Sequence, residues 1–392
     1  MRASLSNPKI RETLRELLPK VRKLRREIHA NPEQGYGETA TTSRIKQFLE
    51  EYGVPFCNFG HMTGGYAWID CGKEHTAGFR ADIDALPIEE KNEIDFKSVN
   101  TGVMHACGHD MHASVAAGLA VILWKFRQLL RVNILIVFQP AEECNPTGGA
   151  KAVIGQGLFE QFGVEEFYGL HMWPELKVGE IAVKPGPIMA SSDKLLIRVT
   201  GKKAHAAEPQ KGVDAISIAA EIINGVEHKI RREISPFETV LISIGSIRTS
   251  GRYNIICDQV LIEGTIRSMN PDIRQFVHKR IKELAGNIAA AYRGTTGVTI
   301  EDGYAVVDNN RRITEKFINA AGRILGAESV HTDISPSLIG EDFSFYSQKL
   351  PSMYFFMGCE SEYPLHNEKF LPKESTLDEA ITLMAGYFTE FV

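Results

Sequence analysis

The chain has 392 residues, of which 43% are hydrophobic and 24% charged, so it is too long for one ordinary core and too apolar for disorder, and two compact domains of unequal size are expected. A formal net charge of -5 excludes a global attraction to nucleic acid or to an anionic membrane. Six cysteines without a CxxC pair exclude a disulfide scaffold, and polar opening residues such as Arg2, with no apolar run near 20 residues, lead to the expectation of a cytoplasmic protein.

Ile10, Leu14, Leu17, Leu18, Val21, Leu24 and Ile28 recur at intervals of three and four, which predicts an amphipathic helix over residues 10–28. The interspersed Lys20, Arg22, Lys23, Arg25 and Arg26 read as its solvated face. A second helix is predicted over 39–52, stopped by Gly53, then extended segments at 65–70 and 76–81, and a long helix over 112–130. The run Val-Asn-Ile-Leu-Ile-Val-Phe at 132–138 reads as a central strand, and 165–171 as another, in an α/β layer fold. From 194 the order becomes strand (194–200), helix (213–232), strand (239–245), strand (260–267), helix (273–292) and strand (296–301). This is the split βαβ sandwich pattern. Helices over 310–325 and 377–391, with a strand at 353–357, return the chain to the first layer. The expected domains are 1–186 and 303–392 for a catalytic part and 187–302 for an inserted α+β unit.

The chemistry concentrates after predicted strands. His105-Ala-Cys-Gly-His-Asp-Met-His112 packs three histidines, a cysteine and an aspartate into eight residues, a density of metal donors that a solvated loop does not need. A turn at Gly108 can direct Cys107 and His109 to one ion, and a thiolate can bridge two. His105 and His112 read as supporting or core residues. Gln139-Pro-Ala-Glu-Glu143 follows the strongest strand, where open α/β sheets hold their sites. One of Glu142 and Glu143 can bind metal while the other takes a proton from water, and the residues alone do not order these roles. His171 ends a strand, and His366 lies in Tyr363-Pro-Leu-His-Asn-Glu-Lys-Phe370. Together with Cys107, His109 and the glutamates they supply enough donors for two ions. In Arg80-Ala-Asp-Ile-Asp-Ala-Leu-Pro87, Asp82 is expected to hold the outer nitrogen of a ligating histidine, and Asp84 to act similarly or to stabilise the loop. In the inserted unit, His205 can donate to an oxyanion, and Asn254 and Arg267 can grip a carboxylate or amide of a substrate.

With these residues assembled, the chain resembles the amidohydrolase branch of the aminoacylase and carboxypeptidase superfamily, which includes hippurate hydrolases, auxin-conjugate hydrolases and N-acetyldiaminopimelate deacetylases. The resemblance runs over nearly the whole chain, through Arg26-Glu-Ile-His-Ala-Asn-Pro-Glu33, the segments 80–87, 104–112 and 138–143, Gly148-Gly-Ala150, Met189-Ala-Ser-Ser-Asp193, Gly264-Thr-Ile-Arg267 and Gly340-Glu-Asp-Phe343. It implies two divalent ions per subunit, zinc, manganese, cobalt or nickel. Their ligands would be Cys107 (bridging), His109, Glu143, His171 and His366, with Glu142 as acid/base. It further implies that the inserted unit is a lid and dimerisation surface of a homodimer or larger homo-oligomer. His205 would reach the substrate from that unit, in some relatives from the partner subunit. Cys144-Asn-Pro-Thr after the glutamates, and Ile256-Cys257 where Ile-Pro is frequent, depart from the common pattern. The implied activity is hydrolysis of N-acyl amino acids or small peptides, with no nucleic-acid or membrane partner. A dipeptidase or carboxypeptidase with the same centre is the alternative, and a non-catalytic metal- or solute-binding protein a further one.

Overall fold

The computed structural model describes Leu5, Asn7–Thr249 and Gly251–Val392; Arg2, cited above, lies outside these residues. The chain divides into two compact units. The first comprises the residues up to Ile188 together with Asp308–Ser335 and Asp342–Val392, and the second comprises Met189–Val307 and Pro336–Glu341.

In the first unit an eight-stranded mixed sheet runs in the order 56–58, 65–69, 133–139, 76–82, 164–173, 352–358, 181–182, 330–331. Its four central strands, Asn133–Gln139, Thr76–Asp82, Val164–Trp173 and Ser352–Gly358, are mutually parallel. Three of them are buried at every position, as parallel strands covered on both faces must be. Register sets Asp82 opposite Gln139, so the carboxyl ends of these strands deliver 82–87, 140–143 and 171–173 to one end of the sheet.

The first helix, Pro8–Ala30, is capped by the Asn7 side chain on the Lys9 N–H. It buries the predicted apolar stripe, but Arg25 and His29 lie on that buried face too. The expectation of a solvated basic face therefore fails at Arg25, which stands four residues from both Val21 and His29 and is 0% exposed. The third helix begins at His109 rather than 112 and ends at Lys125. Gly108 takes φ +85°, and a Cβ there would stand 3.3 Å from the Met172 side chain, so this cap requires glycine. His109 and His112 consequently share the first helical turn, three residues apart on one face. No helix among the described residues is long and apolar enough to cross a membrane.

The second unit holds a four-stranded antiparallel sheet, in the order 240–249, 259–268, 191–200, 295–304. Helices Ala215–Asn224 and Pro271–Ala291 pack on it through Ile218, Ile222, Val277 and Ile281 against Leu195, Ile197, Ile262 and Ile266. The predicted helix 213–232 is interrupted by a π turn at Gly225–Lys229. Buried Asp193 binds the second helix to the sheet, accepting from Arg274 Nε (2.9 Å), His278 Nε2 (2.8 Å) and the Gly303 N–H (3.1 Å).

Candidate metal centre

At the carboxyl end of the first unit's sheet, donor atoms from five distant residues converge in two groups. Cys107, His109 and His171 form one, Cys107, Glu143 and His366 the other, and within each the donor atoms lie within 4.8 Å of one another. The Cys107 thiol belongs to both. Its Sγ is 3.4 Å from His171 Nε2, and His366 Nε2 is 3.2 Å from Glu143 Oε1. Glu142 joins His109 and Glu143 in a further group of the same size, so its carboxylate stands beside the donors.

Two of the imidazoles are aimed by partners of their outer nitrogens, and the backbone of two further candidates is fixed by hydrogen bonds. His109 Nδ1 lies 3.0 Å from the Asp84 carbonyl and 3.1 Å from Asp84 Oδ1, leaving Nε2 buried without a hydrogen-bond partner. Asp84 Oδ2 also accepts from the Glu143 N–H at 2.9 Å, so one carboxylate orients two ligands. His171 donates through Nδ1 to the Met172 carbonyl (2.8 Å). The His366 N–H donates to the Ala106 carbonyl (2.8 Å), and His366 and Ala141 both adopt positive φ, 63° and 61°. Such strained backbone persists where surrounding bonds over-determine it. For Ala141 those bonds include its N–H to buried Glu38 (2.7 Å).

Asp82 stands beside two histidines of the donor-dense segment, with Oδ2 3.6 Å from His109 Nε2. Its partners are Arg80 Nη1 (2.6 Å) and His112 Nδ1 (2.5 Å), while the ring of His109 is held by Asp84. His112 Nε2 accepts the Met172 N–H at 2.9 Å, so both of its nitrogens are engaged and it supports the ligands from behind. Below the 105–112 turn lies a second ionic layer that the sequence reading missed. Asp110 forms an ion pair with the Arg25 guanidinium (Nε at 2.7 Å) and accepts from His29 Nδ1 (2.8 Å), and His29 Nε2 meets Glu90 at 3.1 Å. The only signal for it was the His105–His112 density and the quoted 26–33 motif. Asp342, from the Gly340–Phe343 motif, had no assigned role. It accepts from Arg80 (2.6 Å), Gln139 (2.7 Å) and the N–H groups of Gly149 and Ala150 (2.9 Å each).

The electrostatics fit divalent cations. Burial opposes charge on His109, yet Asp82, Asp84 and Glu143 overcome it and push the ring up to about 10. Burial, reinforced by Glu143, Glu142 and Asp82, pushes the Cys107 thiol well above its usual range, and burial holds His171 neutral. Asp82, Asp84, Glu142 and Glu143 set negative charge around these donors, which a cation would offset while making the thiolate the stable form. Sulfur, nitrogen and carboxylate donors shared between two three-membered groups form a dinuclear divalent-metal centre.

The other candidates lie in the second unit. His205 sits in the two-residue strand Ala204–His205, paired with Ile255. The Asn254 carbonyl accepts from the Ala206 N–H at 3.1 Å, so these two residues are neighbours. Arg267 is half-buried in the strand Gln259–Ser268, opposite Ser192, with Nη1 on the Thr265 hydroxyl and the Ile266 carbonyl.

Comparison with known proteins agrees with this geometry. The model of the peptidase family M20/M25/M40 matches residues 78–390. An N-acetylcysteine deacetylase of Bacillus subtilis is 36% identical over 94% of each chain, and thermostable carboxypeptidase 2 of Saccharolobus solfataricus is 35% identical over 94% of each. A solved Bacillus subtilis structure, described as a dinuclear metal-binding peptidase of the M20 family, superposes with a TM-score of 0.85 at 32% identity. That match covers 96% of this chain and 100% of the other. The chain, with a shared thiol between two donor groups at the end of a mixed sheet, belongs to peptidase family M20/M25/M40.

Proposed function

We propose that Cys107, His109, Glu143, His171 and His366 would hold the two ions, Cys107 being common to both donor groups, and that Glu142 is the acid/base. The protein is a metal-dependent amidohydrolase, and its reaction is hydrolysis of the amide bond of N-acyl amino acids to a carboxylate and a free amino acid. The observation that carries the assignment is the membership of Cys107 in both donor groups with the Glu142 carboxylate alongside. The thiolate, with imidazole donors, suits zinc, while manganese, cobalt and nickel are tolerated by the remaining oxygen and nitrogen donors.

Two divalent cations held by these residues would supply Lewis acidity toward the scissile carbonyl and would lower the pKa of water from about 15.7 toward 7. Glu142 accepts the proton of the attacking water as the water oxygen bonds to the carbonyl carbon. His205 donates to the oxygen on which negative charge develops, and Asn254 and Arg267 hold the carboxylate of the amino-acid moiety. As the C–N bond breaks, Glu142 returns its proton to the departing nitrogen.

The second unit serves as a lid and as the surface of a homodimer. Its edge strand Val240–Thr249 exposes Leu241 and Ile247, and Tyr253 is exposed beyond it, an edge with apolar side chains that favours a second copy. A cytoplasmic setting is supported by six free thiols.

The test is Glu142→Gln. Hydrolysis of acetyl- and benzoyl-amino acids should fall by at least about 10³-fold while two metal ions per chain remain by elemental analysis. Retained activity removes Glu142 from the mechanism. The similarity to a carboxypeptidase favours peptide hydrolysis as a second reading, and faster release from dipeptides than from acyl-amino acids would select it.

A further inference from the structure

Behind the metal centre, one guanidinium joins two lines of buried hydrogen bonds that end on opposite sides of the reaction. On one side Arg80 Nη2 donates to Asp342 Oδ1 at 2.6 Å. The backbone N–H of that aspartate reaches Glu142 Oε1 at 3.4 Å, and its other carboxylate oxygen fixes the Gly149 and Ala150 N–H groups. On the other side Arg80 Nη1 donates to Asp82 Oδ2 at 2.6 Å. Asp82 Oδ1 accepts from His112 Nδ1, and His112 Nε2 accepts the N–H of Met172. The carbonyl of Met172 holds His171 Nδ1, and His171 Nε2 faces the Cys107 sulfur.

The direction of each proton is determined. A backbone N–H can only donate, so His112 Nε2 must accept and its proton resides on Nδ1, toward Asp82. His112 is therefore a neutral strut of one tautomer. Arg80, Asp82, His112 and Asp342 are at most 1% exposed, so no solvent competes for these bonds and the loss of one link is felt by the next. A planar fork can hold two carboxylates at once in fixed geometry, which the point charge of a lysine cannot.

We infer that Arg80 is a positioning residue that couples the placement of the acid/base Glu142 to that of the metal ligand His171, through Asp342 on one arm and Asp82 and His112 on the other. This rests on the roles proposed above for Glu142 and His171. It assigns a purpose to Asp342 and places Asp82 on the arm that leads to His171.

The experiment is a double-mutant cycle on Asp342→Asn and His112→Asn, with Arg80→Lys as a variant that keeps the charge but not the fork. Substituting residues that orient ligands typically costs about 10–100-fold. Each single change should lower kcat by about that factor with KM within about twofold, and the double change should cost much less than the product of the two. Arg80→Lys should resemble the double variant. In cobalt(II)-loaded protein, Asp342→Asn should shift the thiolate and ligand-field absorption, although Asp342 is not among the proposed ligands. Multiplicative losses, or a cobalt spectrum identical to that of the parent protein with only the melting temperature lowered, overturn the coupling. The spectrum needs no substrate, so a parent protein inactive on acyl-amino acids would defeat the functional reading and still leave the coupling decided.

Discussion

In the first unit Arg25, His29, Asp82, Asp84, His109 and Asp110 are at most 1% exposed, and every one is held by a charged or polar neighbour. In the second unit His205 and Asn254 lie exposed on a ribbon joined by a two-residue pairing. The contrast separates two demands of catalysis. Cation ligands must keep sub-ångström geometry without help from the substrate, which a dry ionic layer provides at a large desolvation cost. Groups that meet a transient oxyanion or a substrate carboxylate must be reachable, and exposed segments supply that at little cost to the fold.

Four substitutions test the contrast, taken from the largest expected effect down. Cys107→Ala removes the donor common to both groups, so elemental analysis should find fewer than two ions per chain and hydrolysis should fall by about 10³-fold or more. Two ions bound with parental affinity would detach Cys107 from the centre. Arg25→Met leaves Asp110 buried without its guanidinium and should cost about 3–5 kcal/mol in urea unfolding; a loss below about 1 kcal/mol would mean that the lower ionic layer is not structural. His205→Ala should lower kcat by about 10²–10³-fold, with stability changed by no more than about 0.5 kcal/mol and metal content unaltered. Loss of metal or of stability would place this histidine on the buried side of the comparison.

Glu38→Gln probes the boundary between the two behaviours. Burial raises the Glu38 carboxyl from 4.5 to about 7, so the folded chain holds a proton that the unfolded chain releases between those values. The resulting stabilisation is complete below about 4.5 and is lost as pH rises through about 7. It amounts to about 1–3 kcal/mol. Unfolding free energies measured from pH 5 to 7.5 should fall with pH in the parent protein and flatten in the glutamine variant, whose amide oxygen can still accept from Ala141. An unchanged slope would show that Glu38 is ionised throughout.

Much of the site was legible because metal chemistry restricts residue types. Cys107, His109 and Glu143 sit in short, donor-dense segments, and the strand that leads to Glu143 announces itself by an unbroken apolar run. The failures share a different cause. Arg25 was assigned to solvent because helical spacing marks which positions share a face, but a charge joins the buried face only if a partner such as Asp110, 85 residues further on, waits there. Asp82 and Asp84 lie two residues apart after one strand. Both carboxylates enter the core, and which histidine each one meets follows from the helix starting at His109 instead of 112.

Local order, the α/β layering and the kinds of donor available were determined by the sequence itself, since periodicity and side-chain chemistry are local properties. Which donors share an ion, which aspartate orients which imidazole, and how Arg80 joins Asp342 to Asp82 were decided only by tertiary structure. Those relations depend on strand register and on contacts across 262 positions of chain, and packing alone sets such distances.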